Sequence, residues 1–353
     1  MAKILLIDYI GHSDDDGMPL GHTIKTIAQY GEILNVDNSV DIAINKEHEN
    51  FIESKYFKNK ILFDKYVGNK NRDAFTRFKN KQNKLKKLKR IIDEKKYDLL
   101  IFINIDFELG MFIKKFKYQS KIAVISYMKG YYFGNILSRL IKNILLMRVF
   151  KWSDLIISSS RKNCKNYKSI YIPDYFYYPQ LYDKYNNINK KEEYLCIGTI
   201  SCEKDIELIT NIFKNKSKKL NIIGKFLSEE IYKKLNDIKT DNIVIENRLV
   251  DYEEYYKLIA EHKYIILPYK EEFYKGRSSG VLLESIFLGS IPIAPKFLLE
   301  HNGVEGLGYR NKSELEIIVN DKFNINKINN KISNYYYQDN MNKIKKEINN
   351  VVS

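Results

Sequence analysis

The sequence predicts an α/β protein made of two Rossmann-like domains in tandem. Three observations carry this. Apolar strand-like runs alternate with helical stretches along most of the 353 residues, the pattern of βαβ units around a parallel sheet. A stretch from Pro173 to about Glu192 is rich in Pro, Asn and Tyr and has no apolar period. After it the alternation restarts, and the total length suits two cores of ordinary size.

The first half opens on an apolar strand, Lys3–Tyr9, followed by a loop through Asp14–Gly21 and an amphipathic helix from Thr23 to about Asn35. Val40–Asn45 and Lys60–Phe63 read as short strands, and a basic helix runs from about Arg72 to Lys95. Tyr97–Asn104 is continuously apolar, as a strand covered on both faces should be. A helix over Phe107–Phe116, a strand over Lys121–Tyr127 and an apolar helix with scattered cations over Asn135–Lys151 follow. Within the last of these, Leu137–Phe150 suits a core helix or an interfacial one, and the core is the expected place. Strands at Asp154–Ser158 and Ser169–Ile172 close this half.

The second half predicts strands at Tyr194–Gly198, Leu220–Gly224, Ile243–Glu246, Lys263–Pro268 and Ile291–Ala294. Helices are expected between them at Glu203–Asn215, Glu229–Lys239, Tyr252–Glu261 and Ser279–Leu288. The resulting division is 1–175, a linker at 176–192, 193–327, and a helical tail at 328–353 that packs back on the first domain.

Composition narrows the class. Hydrophobic residues make up 44% of the chain, enough for globular cores. No apolar run approaches the ~18 residues of a membrane span, and no secretory leader precedes the first strand. Cys164, Cys196 and Cys202 lack ligand-type spacing and read as reduced thiols, so a cytoplasmic protein is expected. The net charge is +15 and uneven: residues 1–180 hold 32 Lys and Arg against 19 Asp and Glu, and the remainder 27 against 25. The excess gathers at Lys79–Arg90. A solvated lysine-rich helix accounts for it. So does attraction to anionic lipid, at ~1 kcal/mol per basic residue near such a surface. Nucleic acid is disfavoured because no recognition module accompanies the charge.

Ligands of open parallel sheets bind beyond the carboxyl ends of the strands. In Leu267–Glu284 a strand ends, a loop follows and a helix starts near Ser278 or Ser279, both good N-caps. Gly280 permits close approach to the backbone. The first-turn N–H groups of Ser279–Val281 and the helix dipole favour an anion there, and Arg277 adds a charge. Glu284, one turn further in, suits ribose hydroxyls; the plainer alternative is a capped helix with an exposed glutamate. In Leu195–Asp205, Gly198 ends a strand and Lys204 falls at a helix start, where a cation is unfavourable unless it serves a bound anion. Lys204 and Arg277 are both expected at the surface and dispensable for folding. In Pro19–Thr23, Gly21 suits close approach to a ligand, and His22 is either a satisfied loop histidine or a catalytic one. The dinucleotide fingerprint, Walker A motif, G-x-S-x-G elbow and H-E-x-x-H are absent, and Asp14–Asp16 lacks the rest of a calcium loop, so no metal site is expected.

These turns, in this order, resemble the retaining GT-B glycosyltransferases of the large family-4 type, among them bacterial surface-polysaccharide glycosyltransferases. Gly198 and Lys204 fall on that family's "Gly-Arg … Lys" motif. Leu282-Leu283-Glu284-Ser285, Gly289, Pro292 and Ala294 fall on its "L-L-E-A … G-x-P-V-I-A" segment. Trp152–Ser160 is similar to its "A-D-x-I-I-x-x-S" strand, Tyr171-Ile172-Pro173-Asp174 to its "V-I-P-N", and Pro19–His22 to the glycine loop facing the donor diphosphate. Gly276 stands where that family has its first glutamate, and Thr199 where it has arginine.

The resemblance implies a GT-B fold with two parallel sheets facing a central cleft. It implies metal-independent, retaining transfer of a hexose-type sugar from a UDP- or GDP-linked donor to a glycan or lipid-linked acceptor, in polysaccharide biosynthesis. Lys204 and Arg277 would then be catalytic, and Gly21, Gly198, Ser278, Ser279, Gly280, Val281 and Glu284 would bind the donor. No cofactor beyond the nucleotide-sugar co-substrate is implied. The first half would bind the acceptor, with the inner face of an anionic membrane as a further partner. An inverting enzyme is the alternative, with His22, Asp106 or Glu108 as base. A non-catalytic homologue that binds nucleotide or scaffolds partners is another, kept open by Gly276.

Overall fold

A computed structural model describes residues 1–11, 23–64, 74–126, 135–159, 168–320 and 328–353. The acidic loop at Asp14–Asp16, the glycine loop with Gly21 and His22, and Cys164 lie outside these residues. The chain divides into two compact units, Met1–Ile172 with Asn340–Ser353, and Pro173–Asp339.

The first unit contains strands β1 (Lys3–Ile7), β2 (Ser39–Asn45), β3 (Lys60–Phe63), β4 (Leu99–Phe102), β5 (Lys121–Ser126), β6 (Leu155–Ser158) and β7 (Ser169–Tyr171). Between them lie helices α1 (Thr23–Asn35), α2 (Ala74–Lys95), α3 (Ile113–Lys117) and α4 (Ile136–Trp152). The strands pair in parallel in the order β3-β2-β1-β4-β5-β6-β7. Reversal of strand order beside β1 is the doubly wound pattern. It places the carboxyl ends of β1 and β4 at the switch point where such sheets bind ligands.

The second unit contains β8 (Lys191–Ile197), β9 (Leu220–Gly224), β10 (Ile243–Asn247), β11 (His262–Ile266), β12 (Ile291–Pro295) and β13 (Leu307–Tyr309). Its helices are α5 (Pro179–Tyr182), α6 (Ile206–Phe213), α7 (Glu229–Ile238), α8 (Tyr252–Glu261), α9 (Glu271–Tyr274), α10 (Gly280–Phe287), α11 (Lys296–Asn302) and α12 (Lys312–Asn320). Its parallel sheet runs β10-β9-β8-β11-β12-β13. Both faces are buried, and β8 shows how. Leu195 and Ile197 pack with α8 and α10, while Tyr194 and Cys196 pack on the other side with α6. Period-two alternation divides one apolar run between two cores.

The tyrosine-rich stretch 176–192 belongs to the second unit. Tyr177, Tyr182 and Tyr185 are buried there, and Tyr182 meets Tyr256 and Phe287 edge-on. The final helix, α13 (Tyr337–Val352), lies mostly in the first unit, where Lys343 Nζ donates to the Tyr171 carbonyl at 2.8 Å.

Two expectations change. Phe107–Phe116 is not one helix but a 3-10 turn, Phe107–Met111, followed by α3. The turn sits against the backbone of α4: a Cβ at Gly110 would lie 2.1 Å from the Leu145 carbonyl oxygen. The helix expected in the core, Leu137–Phe150, buries only Leu146 and Val149 and leaves a row of Leu and Ile outside. Its apolar residues occupy two sides, and only one side is covered.

Candidate functional site

At the carboxyl edge of the second sheet, two loops are zipped together. Asp205 N–H donates to the Pro268 carbonyl at 2.7 Å, and Lys270 N–H donates to the Glu203 carbonyl at 2.9 Å. This joins the loop after β8 to the loop after β11 and sets Lys204 opposite Tyr269. Asp205 caps α6, accepting from Leu208 N–H at 3.1 Å. Lys204 therefore sits just outside that helix. Its side chain folds back instead, donating to the Ile197 carbonyl at 3.0 Å with its ammonium 5.6 Å from the Tyr269 ring centre. Lys204 is only 7% exposed, which overturns its placement as a surface cation. Burying an ammonium is costly unless it is hydrogen-bonded. The ring and the carbonyl supply that compensation in part.

Gly198, Lys204 and Val281 come together here: a Cβ built on Gly198 would lie 3.8 Å from Val281 Cγ2 and 3.9 Å from Lys204 Nζ. Val281 is in the first turn of α10, so the ammonium and a helix N-terminus share one location. Ser279 caps α10, accepting from Leu282 N–H at 3.4 Å, and is 2% exposed. Ser278, half-buried, precedes it. Arg277 is half-exposed, reaches Glu203 at 3.1 Å and lies 5.7 Å from the Tyr274 ring. The two expected cations thus flank one edge, one buried and one in an exposed ion pair. Gly276 has φ +81°, the left-handed region that side-chain-bearing residues avoid. The glycine found where the resembled family has glutamate therefore fits this loop's own turn.

Two features revise the expected roles. The close approach at Gly280 is made by Tyr175 of the same chain, since a Cβ there would lie 2.2 Å from its hydroxyl. Glu284 is 5% exposed, so it is not an exposed glutamate. Its Oε2 accepts from Tyr255 Oη at 2.8 Å, and its Oε1 from Tyr256 Oη at 3.5 Å. Burial first, and then the Glu284 charge, push the hydroxyl pKa values of Tyr175, Tyr182, Tyr255 and Tyr256 upward. Sequence reading did not single out Gly224, Tyr269 or this tyrosine group. Gly224 carried a signal: it closes a strand at the sheet's ligand edge, one strand over from Gly198.

A second polar cluster lies in the first unit, at the end of β4. Asp106 caps the 107–111 turn by accepting from Phe107 N–H at 2.7 Å. Lys81 of α2 bridges Asp106 at 2.5 Å and Glu108 at 3.2 Å. Glu108 is 3% exposed, and its Oε2 has no hydrogen-bond partner among the described residues. Burial, opposed by Lys81 and reinforced by Asp106, pushes the Glu108 pKa up to about 7. Burial also opposes ionisation of Asp106, but Lys81 and the Phe107 N–H outweigh it and hold its pKa low.

The raised pKa has a thermodynamic consequence. A carboxyl that binds its proton more tightly when folded contributes stability that is complete below pH 4.5 and is lost as pH rises through about 7. Wild-type stability should fall across that window by an amount on the order of 3 kcal/mol from this group. Glu108→Gln should flatten the fall, as melting temperatures from pH 4.5 to 8 would show. An unchanged slope would mean that Glu108 is ionised across the whole range.

Among the described residues, no group of three or more His, Cys, Asp and Glu is placed to hold a metal ion. No described helix is long and apolar enough to cross a membrane.

No protein-family model and no curated protein matches the chain. Solved structures do. Sucrose-phosphate synthase from Thermosynechococcus elongatus superposes with a TM-score of 0.66 at 12% identity, over 100% of this chain and 95% of that one. HepE from Anabaena, in complex with UDP and glucose, superposes with a TM-score of 0.63 at 13% identity, over 99% and 100%. UDP-GlcNAc 2-epimerase from Neisseria meningitidis, bound to UDP-GlcNAc, superposes with a TM-score of 0.61 at 11% identity, over 99% and 100%. The chain has the GT-B fold of these proteins.

Proposed function

We propose that this protein is a glycosyltransferase that moves a hexose-type sugar from a nucleotide-diphospho-sugar to a glycan or lipid-linked acceptor, with retention at the anomeric carbon. The observation that carries the donor assignment is the buried Lys204 ammonium beside Gly198 and the first turn of α10. A fixed cation and a helix N-terminus at one sheet edge form a site for a diphosphate. Structural neighbours with UDP and glucose or with UDP-GlcNAc bound support the choice of ligand. In this reading Lys204 and Arg277 stabilise the departing diphosphate, and Gly198, Ser278, Ser279, Gly280 and Val281 form its cradle. Glu284 and its tyrosines hold the ribose side, and the first unit takes the acceptor.

The charge on the leaving diphosphate is met here by protein groups, so a nucleoside diphosphate should raise the melting temperature without added magnesium. A ligand at 100 times its Kd adds ~2.7 kcal/mol. A thermal-shift screen of UDP, GDP, CDP and their sugars is the test. No shift with any of them, with or without metal, would remove the donor site.

A second reading, inverting transfer, is favoured by Glu108, whose raised pKa suits a general base. His22 and Asp106 are its other candidates. The anomeric configuration of the product separates the two. Because epimerases share the fold, the same assay should follow the fate of the donor sugar with acceptor omitted.

A further inference from the structure

We propose that the outer face of α4 is a docking surface for an anionic lipid bilayer. The helix is firmly seated on its inner side. Leu146 and Val149 are buried, Gly110 brings the 107–111 turn against its backbone, and the Lys142 ammonium lies 5.5 Å from the Phe107 ring. Asn135 caps its start, accepting from Ser138 N–H at 2.9 Å. The outer side is therefore a fixed feature of the unit. At ~100° per residue, Ile136, Leu137, Leu140, Ile141 and Ile144 fall on one continuous face opposite Val149. They are 49–78% exposed. Contiguous apolar surface of this kind on a well-ordered helix marks an interaction site.

The charges select the partner. The helix carries Arg139, Lys142, Arg148 and Lys151 and no acidic residue. Arg148 and Lys151 stand on the apolar face toward its C-terminal end, and Arg139 flanks its other end. Aliphatic side chains inserting at the headgroup boundary, with arginine and lysine meeting lipid phosphates, is how an interfacial helix lies on a membrane. A second copy of the chain is the poorer occupant, because each copy brings a net charge of +15.

Co-sedimentation with phosphatidylcholine vesicles, with and without phosphatidylglycerol, tests this. Wild type should bind the anionic vesicles and release from neutral ones, and binding should weaken as salt rises. The double variant Leu140→Glu, Ile144→Glu should keep the wild-type melting temperature and bind at least about tenfold more weakly. Three results would overturn the assignment: no wild-type binding to anionic vesicles, undiminished binding of the variant, or a lipid-free dimer that the variant dissolves. The assay contains no nucleotide or sugar, so its outcome is independent of the donor site.

Discussion

Lys204→Met is expected to lower sugar transfer by ~10²–10³ while leaving donor affinity within a few-fold of wild type, the size of effect seen when one preorganised charge donor is lost. As the sugar–phosphate bond breaks, negative charge grows on the diphosphate. A group that meets this charge more strongly at the transition state than before it acts on turnover rather than on binding. Lys204 is placed for that role because its ammonium is held by the Ile197 carbonyl and the Tyr269 ring before any ligand arrives. Methionine is the informative substitution. The side chain is buried, and alanine would add a cavity to the loss of charge. Even so, methionine leaves the Ile197 carbonyl without its donor, at a cost of about 1–3 kcal/mol. Melting temperature must be measured beside turnover. Arg277→Gln removes an exposed charge paired with Glu203 and should change stability by less than about 1 kcal/mol. Its effect on turnover should be smaller than that of Lys204→Met, because Arg277 shares its charge with Glu203. Wild-type turnover in a folded Lys204→Met protein would show that the ammonium serves the loops and not the reaction.

Much of this edge was legible in the sequence because its parts obey local rules. A serine before an apolar run capped α10, and glycines closed strands where sheets bind ligands. Alternation of strand and helix identified both parallel sheets. What was not legible depends on partners distant in sequence. Lys204 read as an exposed cation at a helix start, dispensable for folding. Its burial comes from Tyr269, brought alongside by hydrogen bonds between two loops. Glu284 likewise needed Tyr255 and Tyr256 from α8 before its burial made sense. For α4, apolar content pointed to the core, but composition cannot say which side of a helix finds cover. The turn at 107–111 and Gly110 decided that.

Gly224→Ala should cost about 3 kcal/mol or more and abolish nucleotide-induced stabilisation, although Gly224 itself is not part of the proposed cradle. Two penalties combine. Gly224 has φ +155°, a conformation that residues with a Cβ rarely adopt. The added Cβ would also lie 2.0 Å from the Gly198 carbonyl oxygen and 2.8 Å from its carbonyl carbon. Both contacts are with backbone, so no rotamer change relieves them. The end of β8 must move, yet Gly198 N–H is tied to the Ile223 carbonyl at 3.1 Å. Any shift of Gly198 carries the Ile197 carbonyl with it, and so the anchor of the Lys204 ammonium. Gly303→Ala separates the two penalties. Gly303 also has positive φ, at +65°, but a Cβ there meets nothing within 4 Å. That variant should lose only about 1 kcal/mol and keep the full thermal response to nucleotide. If Gly224→Ala melts with Gly303→Ala and still responds to nucleotide, the end of β8 is free to move, and the donor site does not depend on the Gly198–Gly224 contact.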